Sequence, residues 1–177
     1  MVPGDTDSAL IVPVPEAEPL VGKWRARYDL AAQKGVPAHI TVLFPFVAPP
    51  EISRSVVDEL ASLFAGFDLF AFRLARVGRW PKVVYLAPEP AGPFLSLTQA
   101  VYERWPERPP YGGEFDEIVP HLSVAICDPG MCEDMGVLGE VERAIVPGVP
   151  IEARAHAVWL MTGNGRWSVR ARFPLGG

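Results

Sequence analysis

The sequence predicts a pseudo-symmetric α+β fold, in which two similar halves each combine strands with helices. The order strand, helix, strand, helix, strand occurs before a hairpin turn at residues 78–82 and is approximately repeated after it. A hydrophobic fraction of 49% and five tryptophans indicate a chain that buries a core. A doubly wound parallel sheet is the alternative. That fold expects a glycine-rich phosphate loop after its first strand, and the sequence has none there.

Before the turn, the patterning predicts three strands and two helices. The first helix carries apolar side chains at helical spacing from Leu20 to Ala31, and Gly35 follows as a stop signal. The second helix begins after Pro49-Pro50, because proline is well tolerated near a helix start. The strands are expected at residues 9–14, 38–46 and 68–77, and the helices at residues 16–33 and 51–64.

After the turn, the patterning predicts four strands and two helices. A loop rich in proline and glycine, residues 106–117, separates the first of these helices from the next motif strand. Asn164-Gly165 is a good tight-turn signal between the last two strands. The strands are expected at residues 83–87, 121–127, 151–161 and 166–173, and the helices at residues 94–105 and 132–144.

Two short motifs, HIT at residues 39–41 and HLS at residues 121–123, are the most informative feature of the chain. Each lies in a predicted strand and has a hydroxyl residue two positions after a histidine. Because a strand alternates its side chains between two faces, the two side chains of each motif point the same way. Two such strands side by side would bring two imidazoles and two hydroxyls into one cleft. The candidate site residues are His39, Thr41, His121 and Ser123.

This set of groups can move two protons and bind an anionic group without a metal ion. Histidine, with an unperturbed pKa of about 6.5, can act as a base or as an acid near neutral pH. Hydroxyls can donate hydrogen bonds to the oxygens of a bound anion. One imidazole must be neutral and the other protonated, and the sequence leaves open which is which. The third histidine, His156, lacks the pattern and is interpreted as structural.

Regular alternation also predicts which neighbours face the cleft. Ala125 shares the face of its motif histidine and leaves room for a ligand, whereas Ile126 points into the core. Phe44 and Phe46 fall on the opposite face and are expected in the core. Three aromatic residues could line the substrate, with ordinary packing as the alternative for each: Tyr85 on a hairpin strand, and Trp80 and Phe115 in loops.

The composition limits which binding partners and which cellular compartment we expect for the protein. At 177 residues the chain suits one domain, expected to span residues 1–177 with a flexible start at residues 1–7. A net charge of −5 argues against binding to duplex nucleic acid and leaves small nucleotides and RNA ends open. With no signal-peptide pattern or membrane-length apolar run, we expect a soluble cytoplasmic protein without a membrane partner. Cys127 and Cys132 are expected to be free thiols.

The paired motifs resemble those of the 2H phosphoesterase superfamily, which includes a 2′–5′ RNA ligase branch and cyclic phosphodiesterases. HITVLFPF is similar to the first motif of that family, PHLSVAI to the second, and YGGEF to the approach to the second. The resemblance covers nearly the whole chain. It implies a bilobal α+β fold of two intertwined lobes, with two antiparallel sheets lining a central cleft and helices outside. It also implies metal-independent chemistry, with His39 and His121 catalytic and Thr41 and Ser123 binding phosphate.

The leading hypothesis is therefore a phosphodiesterase that hydrolyses a 2′,3′-cyclic phosphate of a nucleotide or RNA end, without a cofactor and as a monomer. A 2′–5′ RNA ligase or 2′–5′ phosphodiesterase is the first alternative. Relatives in that branch often carry a basic residue shortly after the second motif, where residues 125–128 here read AICD, which weakens the case for RNA-end joining. A non-catalytic nucleotide-binding module is the other alternative, although phosphate capture alone would not need two proton carriers.

Overall fold

A computed structural model describes residues 7–114, 117–127 and 136–176, so that residues 1–6 of the expected flexible start lie outside it. Within these ranges the chain forms eight strands and five α-helices. The strands are β1 (Ser8–Pro13), β2 (His39–Leu43), β3 (Phe70–Trp80), β4 (Val83–Glu89), β5 (Leu122–Ile126), β6 (Ile151–Ala155), β7 (Ala157–Asn164) and β8 (Arg166–Pro174). The helices are α1 (Glu18–Tyr28), α2 (Leu30–Gln33), α3 (Arg54–Ala65), α4 (Gly92–Arg104) and α5 (Gly136–Ile145).

Two four-stranded sheets organise the fold. Sheet 1 has the strand order β2-β1-β7-β8, and sheet 2 has the order β5-β4-β3-β6. Every neighbouring pair is antiparallel. The expected α+β fold with two antiparallel sheets is thus confirmed, and the parallel alternative is excluded. The motif strands β2 and β5 occupy corresponding edges of the two sheets and contact each other.

The helices tie the two sheets together. Helix α1 follows β1 of sheet 1 but packs against β5 of sheet 2, whereas α4 follows β4 of sheet 2 but packs against β2 of sheet 1. The shared core between helices and sheets includes fully buried leucines from both sheets and from α4: Leu10, Leu86 and Leu97. Burial of such side chains contributes about 1.5–3 kcal/mol each. This reciprocal packing places the two motif strands side by side.

The two sheets do not coincide with the two halves of the sequence. Sheet 2 comes from the middle of the chain, whereas sheet 1 takes β1 and β2 from its beginning and β7 and β8 from its end. The single strand expected at residues 151–161 is wrong, because β6 and β7 belong to different sheets and the exposed His156 lies between them. A continuous strand-like pattern does not reveal where a chain passes from one sheet to another.

Two other boundaries differ from the expectation for local reasons. The helix expected at residues 16–33 is divided at Asp29, whose extended backbone ends α1. The Asp29 carboxylate then accepts a hydrogen bond from the N–H of Ala31 (2.9 Å), which caps α2. In the hairpin, β3 continues through Gly78 to Trp80, so the turn is shorter than the expected residues 78–82.

The described residues also bear on two expectations drawn from composition. Among the described helices, none combines the length and the apolar character needed to cross a membrane. Cys127 is disulfide-bonded, so the expectation of a free thiol there is wrong. The other cysteine of the chain, Cys132, lies outside the described residues. Sequence spacing alone does not reveal whether two cysteines reach the Cα separation of about 4.4–6.8 Å that a disulfide requires.

Candidate active site

The motif strands bring the four predicted side chains to one cavity, where the edges of the two sheets meet. His39 and Thr41 belong to β2, His121 directly precedes β5, and Ser123 lies within β5. Four further residues complete the lining: Asp29, Ala31, Tyr111 and Ile126. The sequence therefore identified half of the cavity. The remainder comes from the junction of α1 and α2, from a loop, and from a β5 residue expected in the core.

The two histidines are held in the same way. Nδ1 of His39 lies 2.7 Å from the carbonyl oxygen of Pro37, and Nδ1 of His121 lies 2.7 Å from that of Val119. Because a carbonyl oxygen can only accept a hydrogen bond, Nδ1 carries a proton in each ring and donates it to the chain two residues earlier. In the neutral state each ring therefore has its lone pair on Nε2, the atom left available to a ligand.

At neutral pH, burial favours the neutral form of both imidazoles in the ligand-free protein. Burial, with the Arg25 guanidinium as a second cause, lowers the pKa of His39 to about 3. Burial also lowers the pKa of His121. Desolvation disfavours the charged imidazolium, and only 8% of His39 is exposed. A bound anion would act in the opposite direction, because a negative charge within about 4–6 Å favours the protonated ring.

Each motif strand carries a β-bulge at the third residue after its histidine. The register of β2 against β1 skips Val42, and the register of β5 against β4 skips Val124. An extra residue in one strand reverses the alternation of side chains beyond it. The two strands are thus alike both in their motifs and in the irregularity that follows each motif.

The bulges correct three expectations that rested on regular alternation. Ala125, expected at the cleft, is fully buried in the main core, and Ile126, expected in the core, lines the cavity. Phe44, also expected in the core, packs half-buried on a smaller apolar cluster, on the face of sheet 1 that carries Thr41. Phe46 is buried in the main core, as expected. A bulge is set by main-chain pairing and leaves no mark in the apolar pattern.

Tyr111 is a cavity residue that the sequence analysis did not single out. Its backbone is left-handed (φ 52°), which a tyrosine rarely adopts, and its N–H donates to the carbonyl oxygen of Phe44 (2.6 Å). Its side chain hydrogen-bonds that of Thr41, while burial raises the pKa of the phenol and keeps it protonated. The string YGGEF was the available signal. Its glycines suggest an unusual backbone, but nothing in it assigns the tyrosine to the cavity.

Trp80 and Tyr85 form an aromatic cluster with His121. The Trp80 and Tyr85 rings stack with centroids 4.1 Å apart, and the Trp80 and Tyr85 centroids lie 4.7 and 5.7 Å from that of His121. Gly78 permits this stack, because a Cβ there would lie 2.3 Å from Cζ of Tyr85. Two of the three predicted lining residues thus contact His121, although neither is among the residues that line the cavity, and Trp80 lies at the end of β3 rather than in a loop. Phe115 lies outside the described residues.

A family comparison decides the relationship of the chain to known proteins. The model of the 2′-5′ RNA ligase superfamily matches residues 13–167, a range that contains both motifs. The chain belongs to this superfamily. The resemblance to the 2H phosphoesterases that the paired motifs indicated is thereby confirmed.

Bacterial relatives within the superfamily match this chain over most of its length. A protein of Geobacillus sp. (strain WCH70) is 25% identical over 174 residues, which cover 94% of each chain. A protein of Bacillus cereus (strain G9842) is 28% identical over 163 residues, which cover 86% of each chain. Both carry the provisional name of phosphoesterase.

Solved structures share the fold of this superfamily member. TT0787 of Thermus thermophilus is 20% identical with a TM-score of 0.66, over 97% of this chain and 98% of its own. LigT of E. coli, solved with 3′-AMP, is 15% identical with a TM-score of 0.62, over 97% of this chain and 99% of its own. LigT has also been solved with ATP and with NADP+.

Proposed function

We propose that this superfamily member is a phosphodiesterase that hydrolyses the 2′,3′-cyclic phosphate of a nucleotide or of an RNA end. The observation that carries the proposal is a single cavity lined by two imidazoles, each tied to the main chain at Nδ1 and free at Nε2. Two hydroxyl residues and a protonated phenol line the same cavity. Hydrolysis of a cyclic phosphodiester needs two proton carriers and several hydrogen-bond donors around one phosphate.

In the proposed reaction, one imidazole takes a proton from a water molecule whose oxygen bonds to phosphorus. The bond from phosphorus to one ribose oxygen breaks as the second imidazole, protonated at Nε2, donates that proton to the leaving oxygen. The product is a nucleoside monophosphate with a free ribose hydroxyl. Exchange with solvent then removes the proton from the first ring and returns one to the second, which closes the cycle without a metal or cofactor.

Thr41 and Ser123 are proposed to bind the non-bridging oxygens of the phosphate. Their hydroxyls would hold the group between the two rings and offset the charge that develops in the transition state. Tyr111 supports this role, because its hydrogen bond to Thr41 fixes the direction of one of the two hydroxyls. The anionic phosphate would in turn raise the pKa of the nearby imidazoles, which allows one of them to take up the proton that the free protein excludes.

Trp80 and Tyr85 are proposed to contact the nucleoside on the side of His121. An aromatic ring beside the phosphate site suits a nucleobase, whose stacking on such a ring contributes about 1–3 kcal/mol. The three nucleotides bound by LigT support a small nucleotide as the ligand class, and the bacterial relatives are named only as phosphoesterases.

Hydrolysis of nucleoside 2′,3′-cyclic phosphates in the presence of EDTA tests the proposal. We expect turnover by the wild type and a loss of roughly 100-fold or more for His39→Ala and for His121→Ala, since each removes a proton carrier. His156→Ala is the matched control, because it removes an exposed histidine between β6 and β7 and should retain wild-type activity. Activity that requires added metal, or that survives both motif substitutions, contradicts the proposal.

The family match favours a second candidate activity on the same residues, namely cleavage or joining of 2′–5′ RNA linkages. The absence of a basic residue at positions 125–128 argues against joining. A short labelled 2′–5′ oligonucleotide distinguishes the two activities: faster turnover of this substrate than of cyclic nucleotides would support the second. Tight nucleotide binding without turnover of either substrate would indicate a binding module instead.

A further inference from the structure

A buried ion pair holds the segment of chain that leads into His39. Arg25 of α1 and Asp29 at its end are each 2% exposed, and Nη2 and Nε of Arg25 lie 2.8 and 3.0 Å from Oδ2 of Asp29. The same guanidinium donates from Nη2 to the carbonyl oxygen of Val36 (3.3 Å). Burying charges is costly unless they are paired and hydrogen-bonded. The pair therefore fixes a peptide group three residues before the histidine.

Glu18, also on α1, holds the other side of the same segment. Its Oε1 accepts a hydrogen bond from the N–H of Ala38 (2.6 Å) and lies 3.8 Å from Nη1 of Arg25. Val36 and Ala38, the two residues whose main chain α1 binds, flank Pro37. The carbonyl oxygen of Pro37 accepts the hydrogen bond from Nδ1 of His39. One face of α1 thus fixes the chain on both sides of the oxygen that orients the ring.

Among the described residues, His121 has no equivalent support. Its anchor, Val119, is 40% exposed, and no charged side chain of the described ranges hydrogen-bonds residues 118–120. Its ring is packed instead by Trp80 and Tyr85. The two histidines match in motif, bulge and tautomer but are positioned by different means.

We infer that Arg25 and Glu18 are positioning residues for His39, which hold the Pro37 carbonyl so that the ring carries its proton on Nδ1 and presents the Nε2 lone pair to the cavity. A hydrogen bond to one ring nitrogen selects the tautomer of a histidine, and the group that orients such a bond acts through it. With the carbonyl displaced, the ring also populates the Nε2–H tautomer, which cannot accept a proton from the cavity. The catalytic consequence rests on the proposed function, whereas the tautomer itself does not.

Nitrogen-15 NMR of the imidazoles in the full chain tests this inference, because the Nδ1 and Nε2 shifts report the tautomer directly. In the wild type we expect Nδ1–H for both motif histidines. Arg25→Met combined with Asp29→Asn removes both buried charges, so that no buried charge is left unpaired, whereas the partly exposed Glu18 remains. We expect this variant to gain the Nε2–H form at His39 alone, and to lose roughly tenfold in kcat with little change in KM. Arg27→Met, at an exposed position of the same helix, is the matched control.

Glu18→Ala provides an independent variant, since Glu18 is partly exposed and its removal leaves the buried pair in place. It should produce the same change at His39, and Glu18→Gln, which keeps an acceptor oxygen, should restore the wild-type signal. If the variant that combines Arg25→Met with Asp29→Asn does not fold, Glu18→Ala alone tests the inference. Retention of Nδ1–H at His39 in the folded variants overturns the inference. A tautomer change in a protein that hydrolyses no cyclic phosphate supports the inference and counts against the proposed function alone.

Discussion

Val42 and Val124 occupy equivalent positions in the two sheets: each is the extra residue of a β-bulge three positions after a motif histidine. In each strand, the motif ends immediately before the bulge, and the fifth residue after the histidine, Phe44 or Ile126, returns to the face that carries the motif hydroxyl. A bulge re-aims the side chains of an edge strand. The pseudo-symmetry of the site therefore extends from the side chains to the main chain.

The bulge at Val124 makes Ala125 a core residue, and Ala125→Leu should reveal this. Ala125 is fully buried, and added methylenes in a packed core cost typically about 1–3 kcal/mol. Ile126→Leu, which conserves volume at the cavity, should cost less than about 1.5 kcal/mol. Urea denaturation measures both free energies of unfolding. With regular alternation, Ala125→Leu would instead fill the cleft, weaken nucleotide binding and leave stability almost unchanged, and that result would contradict the register.

The same relationship explains why the motif residues could be predicted from the sequence. The alternation argument spans only three residues in each motif, and in both strands the bulge begins at the next residue. The argument thus holds for His39 and Thr41 and fails for Phe44. The strand order within each sheet could not be predicted, because β6 and β7 follow each other as one strand-like stretch in the sequence but pair in different sheets.

The rest of the cavity depends on contacts between segments that are distant in the sequence. Tyr111 reaches the site because its backbone N–H bonds to Phe44, far away along the chain. Asp29 lines the cavity because α1 ends there and α2 begins, a break that the helical spacing of apolar residues did not show. Local patterns therefore predicted the motif residues and missed both Ile126, which lies beyond the bulge of β5, and the residues that tertiary packing brings to the cavity.

Gly78→Ala should disturb the aromatic cluster around His121. A Cβ at this position would lie 2.3 Å from Cζ and 2.6 Å from Oη of Tyr85, so the ring must shift from its present position, in which it stacks on Trp80. Because stacking of a base on an aromatic ring contributes about 1–3 kcal/mol, we expect roughly tenfold weaker binding of a nucleoside monophosphate, measured by calorimetry. Gly92→Ala is the control, because a Cβ there meets nothing within 4 Å.

A double-mutant cycle makes this prediction specific to Tyr85. Because the effect of the added methyl group passes through the tyrosine ring, Gly78→Ala should cause little further loss in a Tyr85→Ala background. Additive losses in the double variant would show that Gly78 affects the site by another route.

Tyr111→Phe should lower activity without greatly changing stability. The substitution removes only the hydroxyl that bonds Thr41, and a neutral hydrogen bond contributes about 0.5–1.5 kcal/mol. We therefore expect kcat/KM for a 2′,3′-cyclic nucleotide to fall by up to about tenfold. Tyr102→Phe, on α4 and partly buried against the core, is the control. Equal losses of kcat/KM in the two variants would show that the Tyr111 hydroxyl has no specific role at the phosphate site.

His39 should make the fold sensitive to acid. Its pKa is 6.5 when unperturbed and about 3 in the folded protein, so between these values the unfolded chain binds a proton that the folded protein excludes. The free energy of unfolding must then fall as the pH falls below 6.5, by up to about 1.4 kcal/mol per pH unit for this one group. The lowered pKa of His121 acts in the same direction.

His39→Gln should therefore lose less stability than the wild type on acidification. Urea denaturation between about pH 6.5 and pH 4.5 measures the difference, since the substitution removes one proton-binding group from the unfolded state while glutamine retains a donor for the Pro37 carbonyl. His156→Gln, at an exposed position, should reproduce the wild-type slope. If His39→Gln and the wild type lose stability in parallel, burial does not keep the His39 ring neutral. The description of the site as two neutral imidazoles would then be wrong for His39.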